Sequence, residues 1–149
     1  MPSAYQLFQR AERVEWLSAR VYGALKVQFQ GDAEARALFV RLEAEEEQHA
    51  KRVRLLAAHY AHDRSLTVEA DAGDLDMCAA ECEEAIAEIE AGAWGTDLAE
   101  VKRRALALET RLVRAHADLL ARNALPALRD FLAQLAALDT EHLQLLSSF

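Results

Sequence analysis

Along most of the chain, apolar residues recur every three or four positions, the period of a helix with one buried face. The first stripe, Leu7, Phe8, Ala11, Ser18, Tyr22, Leu25 and Phe29, predicts a helix from about Ser3 to Gln30. Gly31 suits its end, and Asp32 is placed to cap a second helix after a very short turn, so the two should be antiparallel neighbours. Ala35, Leu38, Leu42, Val53, Leu56 and Tyr60 carry that second helix to about Ala61. Between Asp63 and Gly73 the period is lost among Ser, Thr, Asp and Gly, and a loop is expected. A shorter helix from Asp74 to Ala91 follows, then Gly92 and Gly95 around Trp94. Thr96 is the expected cap of a third long helix, whose stripe runs Leu98, Val101, Ala105, Leu108, Leu112 and Leu119 and which reaches about Arg122. Asn123 to Pro126 marks the last connection, since proline is at home in a first helical turn. Leu125, Leu128, Leu132, Leu135, Leu146 and Phe149 mark the last helix.

The picture is all-α: two helical hairpins joined by a segment long enough to travel back along a helix pair at about 1.5 Å per helical residue. That layout suits a four-helix bundle with one long crossover containing an additional short helix, an arrangement that includes the ferritin-like folds.

Two of the stripes are interrupted, and the interruptions match. In the second helix the spacing lands on Glu46 and His49, and in the last it lands on Asp139 and His142. A carboxylate and an imidazole buried without partners would each cost several kcal/mol or be forced neutral, so two such pairs on core-facing stripes call for compensation. A metal site supplies it. Helices one and three then need one inward acid each, and the sequence has them: Glu15 on the first stripe, and Glu109 four after Ala105 and three before Leu112. Glu15 precedes Glu46 by 31 residues and Glu109 precedes Asp139 by 30, so the chain reads as a hairpin duplicated nearly in register. Four carboxylates in one place would repel, whereas two divalent cations neutralise them and leave two imidazoles uncharged. Hard oxygen donors with one imidazole per metal suit iron or manganese and tolerate zinc, and iron is the expected metal.

Composition narrows the rest. A chain of 149 residues with 52% hydrophobic content supports one domain, 1–149, with a real core. A net charge of −8 argues against nucleic-acid and anionic membrane partners, which call for clustered Lys and Arg. No apolar run is long enough to span a bilayer and Met1 to Trp16 lacks a signal-peptide layout, so a cytoplasmic location is expected. Cys78 and Cys82, four apart on a helix, read as small buried residues rather than a disulfide. Glu43, Glu45, Glu47 and Glu141 point away from the stripe and should be solvated, as should His59 and His62 near a helix end. Glu12, one turn before Glu15, competes with it for the inward position.

These residues resemble the ferritin-like di-iron carboxylate superfamily, most closely the di-iron domain of rubrerythrins, over nearly the whole chain. The carrying motifs are Glu15 with an aromatic, Tyr22, seven later; Leu42, Glu46 and His49; Glu109; and Leu135, Asp139 and His142. The resemblance implies Glu46 and Asp139 bridging or capping two iron ions, Glu15 and Glu109 as terminal ligands, and His49 and His142 on one metal each. Tyr22 is a candidate supporting residue, and His116, standing seven after Glu109 where Tyr22 would predict an aromatic, departs from the pattern as a supporting hydrogen-bond donor or an added ligand. Asp139 is one methylene shorter than the family's Glu, and Leu112 occupies the place of an extra rubrerythrin carboxylate. The implied activity is an oxidoreductase acting on peroxide or dioxygen, re-reduced by an external electron donor because no rubredoxin-like module is present. Two other functions fit the sequence: iron oxidation and storage, or a non-catalytic helical interaction module with structural acids. A homodimer is expected, with Trp94 as an exposed apolar contact.

Overall fold

In the computed structural model, residues 3–61, 73–122 and 126–147 are described, apart from the side chains of 119–122, 126–128, 131, 132, 135 and 139. The protein is all-helical: α1 (Ala4–Gln28), α2 (Ala33–Tyr60), α3 (Gly73–Glu90), α4 (Leu98–Arg122) and α5 (Pro126–Ser147). The expected loop at 63–72 and the side chains of Leu119, Leu125, Leu128, Leu132, Leu135 and Phe149 lie outside the described part, as does His62. No helix among the described residues is long and apolar enough to cross a membrane.

The helix ends follow from local chemistry. Ser3 and Gln6 cap each other's backbone N–H groups at the start of α1, and Asp32 accepts from the Ala35 N–H at the start of α2. After α3, Gly92 takes the left-handed conformation at φ 77°, which lets the Ala93 N–H return to the Glu88 carbonyl. Two expectations fail here. Asp97, not Thr96, caps α4, its carboxylate accepting from the Ala99 N–H at 3.1 Å. Trp94 is not an exposed contact residue: it is 6% exposed, its indole N–H donates to Glu88, and the Arg104 guanidinium lies over its ring. Among the described residues the exposed large apolar side chains are instead Val27, Val40, Leu55 and Met77.

Paired contacts give the helix directions. Phe8 stacks on Tyr60 and Phe29 packs on Phe39, so α1 and α2 run antiparallel over their whole length. Asp32 and Glu34, at the turn between them, act on Lys102 near the start of α4. Farther on, Glu109 meets Tyr22 and His116 meets Glu15, so α4 descends antiparallel to α1. Between Tyr60 and α4 the chain therefore crosses from the Tyr60 end back to the Asp32 end, where α2 began. On the way α3 lies along α1 and α4, tied by Arg10 to Asp76, Arg13 to Glu83, Arg111 to Glu81 and Arg104 to Glu88. One continuous apolar core runs through α1, α2, α3 and α4 and takes in Leu146 of α5.

Candidate metal centre

The polar breaks in the stripes meet at one level of this core. Glu15, Glu46, His49, Glu109, His116 and His142 are all buried, none more than 3% exposed. They come from α1, α2, α4 and α5, and they alternate acid with imidazole. His116 Nε2 lies 3.7 Å from Glu15 Oε1, and Glu15 Oε2 lies 3.7 Å from His49 Nδ1. His49 Nδ1 is also 3.7 Å from Glu46 Oε2, whose other oxygen is 2.6 Å from His142 Nδ1. His142 Nδ1 is 3.5 Å from Glu109 Oε1, which accepts a hydrogen bond from the Tyr22 hydroxyl. Glu46 thus stands between two histidines whose rings stack with centroids 5.3 Å apart.

Proximity here is not hydrogen bonding. Both oxygens of Glu15 and of Glu46, Oε2 of Glu109, and Nδ1 of His49 and of His142 make no hydrogen bond among the described residues. Buried polar atoms are nearly always satisfied, and so many orphans in one place fit a cluster able to hold a shared cation. Donor spacing agrees with a cation. With metal–ligand bonds of about 2.0–2.2 Å, donors on neighbouring coordination positions lie about 3–3.5 Å apart. The distances above bracket that value, and one donor atom each from Glu46, His49 and His142 lie within 4.8 Å of one another.

Without a cation, protons must carry the compensation. Burial raises Glu15 to about 7, reinforced by the neighbouring Glu46 charge. Burial opposes charge on His49 and His142, but the carboxylates beside them outweigh it and carry them to about 10 and about 11. Tyr22 is held well above its ordinary value by burial and by Glu109, so its phenol remains a donor.

One residue in contact with the cluster escaped the sequence reading. Glu45, expected in solvent, is half-buried and its Oε2 lies 2.8 Å from His142 Nε2. With Nδ1 facing Glu46 and Glu109, the imidazole is held on both edges, the carboxylate–histidine arrangement that fixes ring orientation in metal sites. Burial alone would raise Glu45, yet Arg41 and His142 bring it below its ordinary value, so it is ionised. The only signal available was its place beside Glu46. Glu43 likewise is not simply solvated but pairs with Lys26 at 2.7 Å. Glu12 is engaged elsewhere, accepting from Trp16 and pairing with Arg54, which leaves Glu15 as the inward acid of α1. Asp139 lies on α5 one turn before His142, with its side chain outside the described part. Cys78 and Cys82 are both buried, as expected, and form no disulfide.

Fold and site together define an all-helical protein with a buried cluster of glutamates and histidines able to hold a metal. No protein-family model matches the chain, and no curated protein or solved structure is significantly similar to it.

Proposed function

We propose that the chain is a ferritin-like four-helix bundle with one long crossover, a di-iron protein of the rubrerythrin-like kind acting on peroxide or dioxygen. The observation that carries this is the position of Glu46: one carboxylate, without a hydrogen bond of its own, between His49 on one side and His142 on the other. Two cations sharing Glu46 would each have one histidine and one further acid, Glu15 with His49 and Glu109 with His142. Asp139 completes the set implied by the sequence. Iron held there by Glu15, Glu46, His49, Glu109 and His142 would supply the electrons that reduce an O–O bond.

The protein's own groups have defined parts. Tyr22 holds Glu109 Oε1 by its hydroxyl proton, leaving Oε2 for a ligand role. Glu45 sets the tautomer of His142 by accepting from Nε2, so that Nδ1 is presented to the cluster. The low exposure of every member keeps bulk water out. Electrons to reset the site come from an external donor in this reading.

Elemental analysis after anaerobic Fe(II) loading tests it. About two irons per chain, lost in E46A and H142A, are expected for a two-metal site. No bound metal under any loading condition would make the acids and histidines structural and leave a helical interaction module as the better reading.

A further inference from the structure

A narrow cavity lies at the Glu109 end of the cluster, enclosed by α1, α3 and α4. Tyr22 and Glu109 form its inner end, and Cys78, Cys82, Ser18 and Leu112 are among its walls. Its free volume is about 10 Å³, room for a single water-sized molecule. Cys78 and Glu81 also wall a larger cleft, about 160 Å³, between α3 and α4, where Glu81 pairs with Arg111. Cys78 and Glu81 wall both spaces and Cys82 walls the inner one, so a way from this cleft to the cluster passes Cys78 and then Cys82, beside the Glu81–Arg111 pair.

Helix α3 contributes no member to the cluster, yet it presents two of the smallest apolar side chains to this cavity. Leucine at either place, the usual choice on stripes elsewhere in this chain, would fill it. Burial, with Cys78 nearby, pushes the Cys82 thiol up to about 12, so the thiol remains neutral, while Glu81 on the same wall is paired with Arg111. The cleft on the other side of the cluster, with His49 in its wall, is different: it carries Glu45, Arg52 and Glu141 and suits ions and water.

We propose that Cys78 and Cys82 set, by their volume, the size limit of a route through which a neutral diatomic-sized molecule such as dioxygen or hydrogen peroxide reaches the Tyr22–Glu109 end of the cluster. The inference rests on the di-metal reading for what that molecule meets, but the route itself is a property of the metal-free chain. Cysteine here is a size, not a reagent.

Dissolved dioxygen, a paramagnet, reports such a route by broadening nearby methyl resonances in metal-free protein. Broadening at Val14, Val21 and Leu112 should exceed several-fold that at Leu42 and Val53, which are buried away from the cavity. C82L should bring the cavity methyls down to the level of Leu42, and C82A should not. In iron-loaded protein, C82L should slow oxidation by hydrogen peroxide roughly tenfold or more, the scale on which small changes of pocket volume discriminate, with iron stoichiometry unchanged. If C82L does not fold, judged by helical content, the widened C78A/C82A protein carries the test, and should admit ethyl hydroperoxide where the parent excludes it. Equal broadening at cavity and reference methyls, or an unchanged rate in C82L, would overturn the proposal. So would loss of peroxide reactivity in C82A with broadening intact, which would assign the thiol a chemical role. Selective broadening in a protein that binds no iron would instead sink the di-metal reading and leave the route standing.

Discussion

The hydroxyl of Tyr22 on α1 donates to Oε1 of Glu109 on α4, 87 residues away in sequence. The chain repeats this arrangement in reverse. Tyr22 comes seven residues after Glu15, and His116, seven after Glu109, lies 3.7 Å from Glu15. Each acid on the first helix of a hairpin is thus approached by a side chain from the other hairpin.

Removing the Tyr22 hydroxyl leaves a buried carboxylate oxygen without its donor. Tyr22→Phe should destabilise the metal-free protein by about 1–3 kcal/mol, the cost of an unsatisfied buried acceptor. The loaded protein should lose less, because the cation also holds Glu109. Chemical denaturation with and without metal measures both, and equal losses would count against Glu109 as a ligand.

The metal-free protein should weaken as pH rises. Glu15, His49 and His142 are all raised in the folded state, to about 7, about 10 and about 11, so the folded chain binds more protons than the unfolded one. Stability then falls with rising pH. The Glu15 contribution falls away between the ordinary carboxylate value of 4.5 and about 7, and the histidine contributions between 6.5 and about 10 to 11. Thermal melts from pH 6 to 10 should show a declining midpoint without metal and a much flatter one with it. A midpoint that rises with pH would contradict the buried charge assignment.

Glu45→Ala should lower metal affinity roughly 10–100-fold, as removal of outer partners of ligating histidines typically does. Glu45→Gln, which can still accept from His142 Nε2, should lose less. Competitive titration with Co(II) and a chelator reads the difference, and identical affinities in all three proteins would assign Glu45 to surface pairing alone.

Gly23 is the one glycine inside α1, and a Cβ built there meets Oε2 of Glu43. The obstacle is the far end of a flexible side chain whose ion pair with Lys26 is partly exposed and worth little. Helix propensity favours alanine by about 0.8–1.0 kcal/mol. Gly23→Ala should therefore leave stability equal or raise it by up to about 1 kcal/mol in thermal denaturation, and a clear loss would show that Glu43 cannot move aside.

Much of this was legible in the sequence because local rules decide it. The break at Gly31 and Asp32, the short helix before Gly92, and the start of α5 at Pro126 all fall within two residues of expectation. Thr96 and Asp97 are both able to cap, and only the geometry of the turn selects the aspartate. Glu15, Glu46, His49, Glu109 and His142 were found because each replaces an apolar residue on a regular stripe, a signal one helix carries by itself. Glu45 was missed for the converse reason: its role is given by His142, 97 residues later, whose ring presents a second edge. Trp94 was misread because glycines flank it, whereas Glu88 and Arg104 supply both a partner for its N–H and a cover for its ring.

The reciprocal approach of Tyr22 to Glu109 and of His116 to Glu15 makes the two hairpins an interlock rather than a pair of copies. Taken alone, α1 and α2 would hold Glu15, Glu46 and His49 without the second and third imidazoles or the third glutamate. A repeated sequence has in this way lost the independence of its halves. A change at Glu109 is answered on α1 and a change at Glu15 on α4, so viable substitutions at these places should travel in pairs across the hairpins, not within them.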